Sequence, residues 1–65
     1  MPSSVISTFH YEPDKRRLDV VFVRGRRYAY HAVPAPLAAA MKQALSKGEF
    51  FNSHIRDRFR FTRED

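Results

Sequence analysis

Arginine dominates the chemistry available to this chain. Of its 12 lysines and arginines, nine are arginine, whose planar fork matches phosphate and stacks on flat rings. They fall into three groups: Lys15-Arg16-Arg17, then Arg24, Arg26 and Arg27, then Arg56, Arg58, Arg60 and Arg63. The middle group borders "RRYAYHAV", in which Tyr28 and Tyr30 stand one residue apart ahead of His31. Cations beside aromatic rings are what a surface for RNA phosphates and bases requires. Arg17, Arg24, Arg26, Arg27 and His31 are therefore candidate nucleic-acid contacts. Asn52, Arg56 and Arg60 join them, because "FFNSHIRDRFR" read as a helix puts these residues and Arg63 on one polar stripe. A structural reading stands beside each of these. Charge on a sheet face also protects strand edges, Asn52 can cap a turn, and Arg56 can pair with Glu49 or Asp57.

Signals for catalysis are poor. His10, His31 and His54 lie in three separate segments, with no acidic residue at a recognised metal or base spacing from any of them. Cysteine is absent, no serine stands in a G-x-S-x-G elbow, and two glycines cannot build a phosphate loop. The expectation is a non-enzymatic protein with no metal site and no cofactor.

The 65 residues leave room for one domain, taken as residues 1–65. A chain this short buries only ~60% of its unfolded surface, so its core is thin. The formal charge of +5 makes an anionic partner plausible and also serves solubility. Absence of cysteine fits a reducing cytoplasm. No apolar run approaches the ~20 residues of a membrane span, and "MPSSVISTF" lacks the features of a signal peptide. A soluble cytoplasmic protein is expected.

The elements that must position these residues follow from local patterns. "SVISTFHY", "RRLDVVFV" and "RRYAYHAV" read as strands, separated by "EPDK" and "RG". A three-residue second hairpin loop, Val23-Arg24-Gly25, pairs Phe22 with Arg26, Val20 with Tyr28 and Leu18 with Tyr30. It puts Gly25 at the left-handed position and gathers all five large side chains on one face. Arg17 and Arg27 then lie on the opposite, outer face with Val21, Val23 and Ala29, where Asp19 pairs with Arg17 or Arg27. "PAPLAAAMKQALSKG" predicts a helix carrying Leu37, Met41, Ala44 and Leu45, with Lys47 and Gly48 at its end and the glycine as left-handed cap. A second helix is expected from Glu49 to about Phe59, with Phe51, Ile55 and Phe59 on one face. The "RFRFTRED" tail reads equally as fraying helix or extended chain. This is an α+β domain: a three-stranded antiparallel meander with one face covered by two C-terminal helices. Tyr28 and Tyr30 are then mainly core, lying beneath the helices rather than serving as stacking platforms.

The ordered pattern S-S-x-I, Y, L-x-V-x-F, G-x-x-Y-x-Y, V-P and A-x-S-x-G-x-x-F-N-x-x-I-R resembles the KTSC domain. Ser3, Ser4, Ile6, Tyr11, Leu18, Val20, Phe22, Gly25, Tyr28, Tyr30, Val33 and Pro34 carry its first part. Ala44, Ser46, Gly48, Phe51, Asn52, Ile55 and Arg56 carry the second. That family takes its name from the C-terminus of some lysyl-tRNA synthetases and also occurs as free-standing small bacterial proteins. The resemblance implies this fold and, through the synthetase context, a connection to RNA. The function expected is a binding module for tRNA or another structured RNA, with arginine–phosphate contacts and little sequence specificity. The alternative is a protein-interaction module working through the sheet edge or an exposed apolar patch.

Overall fold

The computed structural model describes residues 6–64. Ser3 and Ser4, part of the resemblance, lie outside the described residues, as does the start expected for the first strand. The chain runs β1 (Ile6–Glu12), β2 (Arg17–Phe22), β3 (Arg27–Tyr30), α1 (Ala35–Gln43), α2 (Lys47–His54) and β4 (Phe61–Arg63). All neighbouring strands are antiparallel, in the order β1-β2-β3-β4. The meander thus has four strands rather than the expected three. After the helices the chain returns to pair Phe61 with Tyr30 and Arg63 with Tyr28.

The hairpin between β2 and β3 has the expected register, with Leu18 opposite Tyr30 and Val20 opposite Tyr28. Phe22 closes the loop: its N–H donates to the Arg26 carbonyl (2.9 Å), and its carbonyl accepts from the Gly25 N–H (2.8 Å). Gly25 has φ +89°, a region closed to most side chains but open to glycine. In β1 a register shift between Ile6 and Thr8 matters for the core. Strict alternation would send Ile6 outward with Thr8 and His10. The bulge adds one residue, so Ile6 can join Phe9 and Tyr11 against the core.

Leu18, Val20, Tyr30, Val33, Met41, Phe51 and Ile55 form the buried cluster between the sheet and the helices. Full burial of each large aliphatic side chain contributes ~1.5–3 kcal/mol. The connection from β3 to α1 is fastened to both edges of the sheet. Val33 donates to the Arg16 carbonyl (2.9 Å) and accepts from the Tyr11 hydroxyl (2.6 Å), while His31 donates to the Arg60 carbonyl (2.9 Å). These bonds hold Ala32 between them at φ 59°, a left-handed conformation that costs a non-glycine residue ~1–2 kcal/mol.

The helices differ from expectation at their junction. α1 stops at Gln43, where Ala44 turns extended, and Leu45 lies in the open at 104% relative exposure. Lys47 and Gly48 do not end the first helix; they open the second, and Gly48 is a buried residue of the α2 first turn rather than a left-handed cap. The physical reason is Ser46. Its Oγ accepts from the Glu49 N–H (3.2 Å) and its carbonyl from the Phe50 N–H (3.1 Å), so an N-cap forms where a C-cap was expected. α2 in turn ends at His54 rather than near Phe59, and turns over residues 55–58 lead to β4.

Candidate nucleic-acid interface

Aromatic residues meet at the end of the sheet that carries the Arg24–Gly25 loop. Tyr28 and Tyr30 share a strand face and lie roughly parallel, with centroids 6.4 Å apart and planes at 29°. The Phe51 ring of α2 meets Tyr30 edge-on at 5.2 Å, and Phe22 meets Tyr28 and Phe51 edge-on, each at 5.6 Å. Phe61 on β4 lies 5.4 Å from Tyr28 and 5.5 Å from Tyr30. Each pairing has the offset or tilted geometry that ring quadrupoles favour. Tyr30 and Phe51 are buried beneath, whereas Phe61 keeps 51% of its surface exposed.

These rings line one wall of a cleft of ≈ 730 Å³. Val23, Arg24 and Arg26 of the hairpin tip border it on one side. Asn52, Arg56 and Asp57, from α2 and the turn after it, border it on the other. Burial is the main force holding the Tyr30 phenol above its ordinary pKa, with Tyr28 and Asp57 adding to the effect and Arg56 opposing it. Arg56 and Asp57 thus bring charges of both signs to the border of the cleft.

The structure therefore brings together candidates from two distant segments: Arg24, Arg26, Asn52 and Arg56 share one concavity. The remaining candidates lie elsewhere. Arg17 Nε stands 3.1 Å from Asp19 Oδ1, an ion pair out of line for a hydrogen bond. Arg27 pairs with Val21 in the register and is exposed on the outer face. His31 Nε2 lies 2.7 Å from Thr62 Oγ1, tying β3 to β4. Arg60 is exposed ahead of β4 and offers its carbonyl to His31. One expectation is corrected here: Val23 borders the cleft rather than the outer face, together with Arg24 and Arg26 of the hairpin tip. Phe61 is the cleft residue that sequence reasoning missed. The alternation of arginine with phenylalanine from Arg58 to Phe61 has a strand-like period of two, but only Phe61 of it falls within β4, so the signal was weak.

Among the described residues no group of three His, Cys, Asp or Glu side chains is placed to hold a metal ion. No helix among them is long and apolar enough to cross a membrane.

Comparison with known proteins fits this architecture. The KTSC domain family matches residues 2–59. The chain belongs to the KTSC family. A KTSC domain protein of Yersinia pestis, known from its crystal structure, superposes with a TM-score of 0.88 at 34% identity, over 97% of this chain and 89% of that one. An uncharacterized protein of Stutzerimonas stutzeri is 33% identical over 66 residues, covering 100% of this chain and 93% of its own. The lysine–tRNA ligase of Nostoc punctiforme is 38% identical over 58 residues, which are 89% of this chain but only 10% of the ligase. The KTSC match includes Arg24, Arg26, Asn52 and Arg56 and ends before β4, so Phe61 lies beyond it.

Proposed function

We propose that this KTSC protein is a small non-catalytic binding module for RNA, working in the cytoplasm. One observation carries the reading: arginines from two distant segments, Arg24 and Arg26 on the hairpin tip and Arg56 after α2, border one aromatic-lined cleft. Guanidinium groups take phosphate oxygens, and a net charge of +5 draws a polyanion from a distance. Some of its relatives are segments of lysine–tRNA ligases, proteins named for tRNA, which agrees with an RNA partner. Contacts of this kind recognise phosphate more than base identity, so binding is salt-sensitive and tolerant of sequence.

The test replaces Arg24, Arg26 and Arg56 together by glutamine and measures binding to a mixed RNA pool at low ionic strength. With ~1.5–3 kcal/mol for each charge-assisted contact, affinity falls by orders of magnitude, while the fold survives because all three side chains are exposed. A companion variant, Arg27→Gln with Arg60→Gln, two exposed arginines that do not line the cleft, binds nearly as the parent does. An undetectable interaction between the parent protein and RNA, or parental affinity in the folded triple variant, would overturn the proposal.

A second reading has its own support. Among the described residues β1 has a neighbour on only one side, an edge to which a strand can be added. A shallow groove lined by Phe9, Tyr11, Ala35, Ala38 and Ala39 lies beside it. A protein partner there would bind the parent and the arginine triple variant alike, since the groove shares no residue with the cleft.

A further inference from the structure

We infer that the cleft receives an unpaired nucleotide of single-stranded RNA, its base stacked on the exposed ring of Phe61, beside Tyr28, and its phosphate held by Arg24 and Arg26. The inference rests on the RNA reading and narrows it, since the expectation from sequence was a structured RNA. Its first support is Phe61, a large apolar ring that the fold leaves half exposed at 51% within the cleft. The Tyr28 ring, partly buried, stands 5.4 Å from it, tilted by 53°. Flat π surfaces partly open to solvent are what unpaired bases stack upon.

Shape supplies the second support. A cleft of ≈ 730 Å³ falls within the ~300–1,000 Å³ range of small-ligand sites and accommodates a nucleotide. It is recessed between the hairpin tip and the turn after α2. A paired A-form helix keeps its bases within the stack and offers backbone and a shallow minor groove, so it can touch the rim but cannot place a ring on Phe61. Charge supplies the third. Asp57 on the α2 side repels phosphate at its own position, whereas the tip carries two arginines and no carboxylate among the cleft residues. The phosphate therefore faces the tip, and Arg56 is left for the next phosphate along the strand.

The experiment compares a labelled single-stranded mixed-sequence 12-mer RNA (about that length, within the ~4–16-nucleotide range of single-strand sites) with the duplex of equal length, by fluorescence anisotropy. The variants are Phe61→Ala and Phe61→Leu, the second keeping apolar bulk but no ring. The single strand binds more tightly than the duplex. Both variants weaken single-strand binding, Phe61→Ala by roughly 5- to 150-fold as for loss of one stacked base, with the duplex affinity and the salt slope unchanged. Melting curves establish that both variants remain folded, which the exposure of Phe61 favours. Equal affinity for single strand and duplex, or parental single-strand binding by both folded variants, overturns the stacking inference and leaves the RNA reading standing. Failure of the parent to bind either RNA removes both.

Discussion

At the scale of single residues, Tyr30 is a core side chain that also lines the candidate site. Its ring is buried against Phe51, while its phenol lies within reach of charges on the cleft rim. Burial disfavours the phenolate, so the folded state holds the proton more tightly than the unfolded chain does. The contribution to stability has a definite sign. It is full below the ordinary tyrosine value of 10.0 and is lost as the pH rises from there through the higher folded-state value. Tyr30→Phe keeps the ring and removes the titration. Denaturant unfolding measured between pH 8 and 11 should therefore decline more gently for Tyr30→Phe than for the parent protein. Identical slopes in the two proteins would show that the phenol is not desolvated by folding. Tyr30→Ala is a different experiment, costing ~3–5 kcal/mol as for other core aromatics, and would unfold much of so small a domain.

At the scale of elements, the hairpin that carries Arg24 and Arg26 depends on one glycine. Gly25 sits at φ +89° with nothing within 4 Å of where a Cβ would stand, so strain and not crowding decides what the position accepts. Gly25→Val should lower the melting temperature by the equivalent of ~1–3 kcal/mol, and Gly25→Asn by clearly less, because asparagine tolerates the left-handed region. Equal melting temperatures for parent and valine variant would contradict the loop conformation. This hairpin was legible in the sequence because its alternatives were few: only one register gathered Leu18, Val20, Phe22, Tyr28 and Tyr30 on a single face. The helix junction was less legible. Gly48 follows a helical run and resembles a stop, yet Ser46 and Glu49 stand at capping-box spacing before Phe50 and Phe51. Two local signals competed, and the cap that also buries Phe51 prevailed. β4 was obscured for another reason. Three exposed residues carry little pattern of their own, and their strand conformation depends on pairing with β3, a long-range contact that local propensity does not encode. The cleft inherited that obscurity, since one of its walls is Phe61.

At the scale of the whole molecule, the arrangement that makes the cleft attractive to an anion works against the fold. Arg24, Arg26 and Arg56 border one concavity in a chain of net charge +5, with Asp57 the lone carboxylate among the lining residues. Like charges gathered at one concavity repel, so their removal or screening by mobile ions should raise stability in the absence of a ligand. Raising monovalent salt from about 0.01 to 0.1 M shortens the screening length from about 30 to 10 Å, a range that spans distances across so small a protein. The melting temperature should therefore rise over that interval, while RNA affinity falls with a slope of roughly 0.7 to 0.9 in log–log terms for each phosphate engaged. The two responses have opposite signs and a common origin. Replacing the three arginines by glutamine should flatten both at once: a smaller salt-dependent rise in melting temperature and a shallower loss of affinity. Thermal melts and anisotropy titrations in the same buffers measure the pair. If the variant kept the parental salt response in melting while losing RNA affinity, the arginines would not be repelling one another across the cleft. If it kept the parental salt slope in binding, the phosphates would lie elsewhere on the molecule.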